Sequence, residues 1–245
     1  MKMSNSESSI INWKNVFSES ETFVNNKPFK FCFIENFLNR DFFEKLYQVY
    51  PKIDESWDEL NMIHKHQYNR EWDPENHSEF TQEGDDPNLD ANWNIFKKYV
   101  ESDEFIENIK EFSGVAVNKL KYFRFIDYKK GGFTQPHAHD DGPDTLVMML
   151  YFSKNGKKGE PGGTFVATDY DEESIIFEPY NLDNSLVIFH DGPNSIHGCR
   201  YITKDVARHS VQITLEKYSS ETGWSGRTEE SHNEQKKNSE LIDIS

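Results

Sequence analysis

From residue 120 to residue 218 the chain breaks into short runs rich in Val, Ile, Phe, Tyr and Thr, each closed by Gly, Pro, Asn or Asp. The runs cover residues 120–128, 146–152, 164–168, 174–178, 185–189, 195–202 and 209–217. Segments of this length, punctuated this often, read as strands rather than helices, and seven or eight of them in series predict an antiparallel sandwich or barrel. Only 35% of residues are hydrophobic, but 19 Phe and 11 Tyr supply enough apolar surface for a core. The formal net charge of −16 repels phosphate backbones, which argues against nucleic acid or an anionic membrane as partner.

The N-terminal half has a different texture. Residues 1–27 form a polar lead-in with a short helix near 10–17. A strand is expected over 29–34, then a helix capped by Asn39, running from Arg40 to Tyr50 and ended by Pro51. Phe42, Leu46 and Val49 recur at helical spacing and mark its buried side. Residues 52–92 are dominated by Asp, Glu, Asn, His and Pro and read as a long, partly ordered loop, a candidate lid. Helical periodicity returns over 93–100 and 103–112, with Ser102 or Asp103 as N-cap and Gly114 as stop. The division that follows is a lead-in (1–27), a strand with supporting helices (28–118), a β-rich catalytic unit (119–218) and a polar tail expected to be disordered (219–245). Cys32 and Cys199 form no CxxC pair, the N-terminus lacks an apolar signal region, and no apolar run approaches a membrane span, so a cytoplasmic protein is expected.

The chemistry concentrates in Thr134-Gln-Pro-His137-Ala-His139-Asp140-Asp141-Gly-Pro143. Residues two apart on a strand share a face, so His139 and Asp141 can enter one cavity. Two imidazoles and one carboxylate on one face of an octahedron suit iron(II) and leave three positions for chemistry. The third ligand has to come from a distant strand, and His197 is placed for it. His137-Ala-His139 offers a second register, with His137 as first ligand and His139 in the carboxylate's place, and the residues leave both open. Arg208 on the closing strand supplies a charged, bidentate donor of the kind a dicarboxylate needs. Arg124, two strand steps before Tyr128, is expected on the cavity face as a substrate contact. His64, His66 and His77 read as surface residues, and His190 as structural.

In this order the pieces resemble the prolyl-hydroxylase-like branch of the iron(II)/2-oxoglutarate oxygenases. The resemblance runs through Tyr128-Lys-Lys-Gly-Gly, Pro-His137-Ala-His139-Asp-Asp141, Met149-Leu-Tyr151-Phe, Gly162-Gly163-Thr-Phe, Leu186-Val-Ile-Phe189, Asn194-Ser-Ile-His197-Gly198 and Arg208-His-Ser210. It implies a mostly β chain with α elements: a double-stranded β-helix (jelly roll) core flanked by N-terminal helices. It implies iron(II) held by His139, Asp141 and His197, with O2 as oxidant. Arg208 would bind the distal carboxylate of 2-oxoglutarate, with Tyr128 and Tyr151 beside the co-substrate. The reaction implied is hydroxylation of a C–H bond in a peptide or protein residue, prolyl included, or in a small molecule, releasing succinate and CO2. Two rival readings stand beside it: a cupin-type metalloenzyme using His137 and His139 after Gly131, and a β-sandwich binding module without catalysis.

Overall fold

The computed structural model describes residues 10–73, 84–139, 142–154, 156–205 and 208–225. Two short helices, α1 (Trp13–Ser18) and α2 (Ser20–Asn25), lead to strand β1 (Phe31–Glu35) and helix α3 (Arg40–Gln48). A hairpin follows, β2 (Asp58–Met62) and β3 (Lys65–Glu71), and then helices α4 (Ala91–Val100) and α5 (Asp103–Ser113). The β-rich half contains β4 (Lys119–Tyr128), β5 (Phe133–His137), β6 (Thr145–Phe152), β7 (Phe165–Ala167), β8 (Ile175–Phe177), β9 (Asp183–His190), β10 (His197–Cys199) and β11 (Arg208–Glu216).

The helices begin and end for local reasons. Ser102 accepts the Phe105 N–H at the start of α5, and Gly114, at φ 65°, turns the chain out of it. The α4 N-cap is Asp90, whose side chain accepts the Asn92 N–H. Asn39 occupies the N-cap position of α3 without a side-chain capping bond.

One antiparallel sheet runs β1-β9-β6-β11-β4-β3-β5-β10-β7-β8, with β2 added to β3. Strands distant in sequence lie side by side, as a jelly roll requires: β11 pairs with β4 through Arg208↔Tyr128 and with β6 through Ser210↔Tyr151. The sheet has two faces with separate cores. Outward-pointing Phe123, Phe125, Leu150, Phe152 and Ile213 pack under the helices, where Trp93 and Phe96 are fully buried. The Trp93 ring stands edge-on to Phe125 at 4.8 Å and to Phe152 at 5.2 Å. Each such large side chain contributes roughly 1.5–3 kcal/mol on burial. Inward-pointing Ile126, Tyr128, Val147, Met149, Tyr151 and Phe189 form the second core, which curls around a cavity.

Two expectations need correction. The stretch 52–92 is not loop throughout: it contains the hairpin β2–β3, and β3 is a full member of the sheet, bonded to both β4 and β5. Its inward residues Lys65, Gln67 and Asn69 are polar because they face the cavity, so the apolar alternation that betrays a strand is missing. A buried ion pair, Arg70–Asp86 at 2.7 Å, fastens this strand to the segment before α4. The tail is ordered at its start, where β12 (Tyr218–Ser219) pairs with β13 (Gly223–Trp224). Trp224 is buried there, with the Lys119 and Lys121 ammonium groups at 5.7 and 5.8 Å from its ring. Residues 226–245 lie outside the described residues.

Candidate active site

Three imidazoles meet at one end of the cavity. His137 ends β5 and His197 begins β10, and the two are paired partners across those strands. His139 follows two residues after His137. The potential ligand atoms of all three lie within 4.8 Å of one another, and their ring centroids are 4.4–5.1 Å apart. In each ring Nδ1 faces a protein acceptor: the Gln135 carbonyl at 2.9 Å for His137, the Ser195 carbonyl at 2.6 Å for His197, and the Asp191 carboxylate at 3.6 Å for His139. In His137 and His197 an Nδ1–H donated to these carbonyls leaves Nε2 as the lone-pair donor available to a metal, and the Asp191 carboxylate stands at ion-pair distance from the same atom of His139.

Burial, and then the neighbouring His139, push the His137 pKa down to about 4. Burial, followed by His137 and His139, holds His197 well below its usual value. These two imidazoles are therefore neutral at pH 7 and able to ligate a cation. Burial works to raise the Asp191 pKa, but His139, Ser195 and the Gly192 N–H outweigh it and hold it below the usual carboxylate value.

The backbone beside the trio is tightly packed. A Cβ at Gly198 would stand 2.6 Å from Phe165 Cζ and 2.6 Å from the Thr134 carbonyl oxygen. Glycine lets β10 slot between β5 and β7 with His197 facing inward.

Behind the histidines lies a cavity of about 270 Å³ whose lining includes Thr134, Tyr128 and Thr164. Tyr128 donates to Gln67 Oε1 at 2.8 Å, with Thr134 Oγ1 at 2.7 Å from the same hydroxyl. Arg208 sits directly behind this wall, 2% exposed. Its guanidinium lies 4.4 Å from the Tyr128 ring centre and 5.2 Å from that of Tyr151. Nε donates to the Gly162 carbonyl at 2.6 Å and Nη2 to Thr164 Oγ1 at 3.3 Å, while Nη1 is buried without a hydrogen-bond partner. No carboxylate pairs with Arg208 among the described residues. A buried guanidinium without a counter-ion is costly, and an anionic ligand reaching it relieves that cost. Tyr151, fully buried, accepts the Thr164 N–H at 2.7 Å and braces the same wall.

Toward the mouth, Arg124 lines the cavity with Lys65, Asn69 and Gln212. It pairs with Glu71 at 3.3 Å and lies over the Tyr122 ring at 4.4 Å.

The structure thus brings together two of the three ligands expected first, His139 and His197, and joins them with His137, the residue of the alternative register. Asp141 lies outside the described residues. Tyr128 and Arg124 line the cavity, whereas Arg208 packs against the Tyr128 and Tyr151 rings and Thr164 and lines a smaller neighbouring pocket with Gly162 and Leu182. Sequence reasoning missed Asp191 and the β3 residues Lys65 and Gln67, since nothing in a polar loop pattern marks them. His190 hydrogen-bonds the Pro143 carbonyl at 2.6 Å, and His66 pairs with Glu59 at 2.8 Å. His77 lies outside the described residues.

No protein-family profile matches the sequence, and no curated protein matches it. Solved structures do match. A prolyl-4-hydroxylase from Pseudomonas putida superposes with a TM-score of 0.56 at 13% identity, over 83% of this chain and 100% of that one. A prolyl hydroxylase from Trichoplax adhaerens, solved with a hypoxia inducible factor peptide fragment, gives 0.54 at 14% identity, covering 82% and 90%. An oxidoreductase of the 2OG-Fe(II) oxygenase family from Burkholderia pseudomallei gives 0.53 at 11% identity, covering 81% and 90%. The chain has the fold of the 2OG-Fe(II) oxygenases. At these identities the fold is what is shared. In this chain the oxygenase fold carries the double-stranded β-helix and N-terminal helices expected from the sequence. Among the described residues no helix is long and apolar enough to cross a membrane.

Proposed function

We propose that this chain is an iron(II)- and 2-oxoglutarate-dependent dioxygenase that hydroxylates a C–H bond. The observation that carries the reading is the convergence of His137, His139 and His197 at a cavity beside the buried Arg208, which pairs with no carboxylate among the described residues. The three histidines fit a metal by their chemistry: His197 is buried and His137 partly so, both hold their pKa below the ordinary imidazole value, and each of the three has Nδ1 turned to an acceptor. We assign them as the ligands in place of the set containing Asp141. Bound there, iron(II) would supply dioxygen activation coupled to decarboxylation of 2-oxoglutarate to succinate and CO2.

The chain's own residues supply anchoring and exclusion of water. Arg208 holds the distal carboxylate of the co-substrate, and Tyr128, Thr134, Thr164 and Tyr151 shape and brace the wall through which it is reached. Arg124, at the mouth, meets the substrate. The substrate class we assign is a peptide or protein residue, prolyl among the candidates, or a small molecule. A structural neighbour solved with a peptide fragment supports the peptide alternative. Two buried free cysteines fit a reducing compartment, and we place the protein in the cytoplasm.

Anaerobic titration with iron(II) followed by 2-oxoglutarate tests the proposal. A weak visible charge-transfer band should grow on addition of 2-oxoglutarate, and be absent in His197→Ala. Iron uptake without any response to 2-oxoglutarate would instead favour the cupin-type reading, which three converging histidines also fit.

A further inference from the structure

Three neutral imidazoles bring no negative charge to a divalent cation, whereas two imidazoles and a carboxylate would cancel half of it. Close to this trio stands a carboxylate with no Lys or Arg partner among the described residues. Asp191 follows the last residue of β9 and is 3% exposed. Its backbone N–H donates to the Thr145 carbonyl at 3.0 Å, which ties it to β6. Oδ1 has the Ser195 hydroxyl at 2.8 Å and His139 Nδ1 at 3.6 Å; Oδ2 is buried without a hydrogen-bond partner.

The three histidines are not held alike. His137 and His197 each turn Nδ1 to the backbone carbonyl two residues earlier, which local geometry fixes. His139 lies beyond the end of β5, its side chain 38% exposed, and its Nδ1 faces a side chain from another strand. The least anchored imidazole is the one given a charged partner.

We infer that Asp191 is the positioning residue of the metal centre. This rests on the three-histidine reading above. Its carboxylate holds His139 with Nδ1 protonated and Nε2 free, and it places at one remove the negative charge that the ligand set lacks. An outer carboxylate on a ligating imidazole fixes its orientation and raises its basicity, and removing such a partner weakens metal binding about 10–100-fold.

Cobalt(II), stable in air and rich in spectroscopic signals, is the probe. The wild-type protein should bind one equivalent and show three hyperfine-shifted, solvent-exchangeable proton resonances, one from each Nδ1–H. Asp191→Asn should bind cobalt(II) about 10–100-fold more weakly. In Asp191→Ala one of the three resonances should vanish through fast exchange, while the two backed by backbone carbonyls persist. Ser195→Ala, which removes only the hydroxyl beside the carboxylate, should give a smaller loss and guards against a folding defect at position 191. Metal-free circular dichroism should be unchanged in the variants compared. Wild-type affinity with all three resonances kept in both Asp191 variants would overturn the inference and leave the metal centre standing. A wild-type protein that takes up no cobalt(II) would bring down the metal centre and this role with it.

Discussion

Strand β4 shows two different proteins on its two faces. Phe123 and Phe125 point to the helices and sit at 0% exposure among Trp93, Phe96 and Trp72. Tyr122, Arg124, Ile126 and Tyr128 point the other way and line the cavity. The helix face is close-packed aromatic surface whose value lies in exclusion of water. The cavity face keeps polar groups, some without partners, that make sense only with something bound. The same backbone carries stability on one side and chemistry on the other, so changes on the two sides should separate cleanly.

The sharpest separation comes from the histidines. His137→Ala, His139→Ala and His197→Ala should each remove iron binding and succinate formation while leaving the metal-free fold intact, as read by isothermal titration and circular dichroism. Asp141→Ala should retain iron; loss of binding in that variant would restore the carboxylate-containing ligand set. On the opposite face, Trp93→Ala should cost about 3–5 kcal/mol of stability in urea melts, with iron affinity of the folded fraction unchanged.

Arg208→Met should keep iron but lose about 2–5 kcal/mol of 2-oxoglutarate binding, and urea melts should show no loss of stability, because an unpaired buried charge has been removed. A large destabilisation would mark Arg208 as structural instead. The smallest effect belongs to the mouth. Arg124→Ala should leave iron and 2-oxoglutarate affinities unchanged and raise the substrate KM by about tenfold, the value of one charged contact; an unchanged KM would remove Arg124 from the substrate site.

Acid separates the faces by another route. In the metal-free protein His137 and His197 stay neutral below the unfolded imidazole pKa of about 6.5, His137 down to about 4. Over that window the unfolded chain binds protons the folded one does not, so stability should fall as pH drops from 6.5 toward 4. A flat stability profile across that range would contradict the lowered pKa of His137 and His197.

Most of the β-rich half was legible because short runs rich in Val, Ile, Phe, Tyr and Thr are punctuated by Gly, Pro, Asn and Asp, with β5 left outside those runs, and α5 because Ser102 and Gly114 mark its ends. The hairpin β2–β3 was hidden by Lys65, Gln67 and Asn69: polar residues read as loop even when they face an interior lined for a ligand. At the site, His139, His197 and Arg208 could be found by type and order along the chain. The choice between His137 and Asp141 could not, since His137, His139 and Asp141 alternate in one stretch and spacing alone permits either pair. Asp191 was invisible, because its proximity to His139 joins two segments far apart in the chain and follows from no pattern in the sequence.

The missing side chain at Gly198 gives this centre a weak point that touches neither metal nor substrate. Alanine there would collide with Phe165 and with the neighbouring strand's carbonyl, prising β10 outward and carrying its histidine off target. A library sampling every replacement at position 198 should therefore look as intolerant as one sampling a ligand, although this residue has no side chain with which to hold a metal.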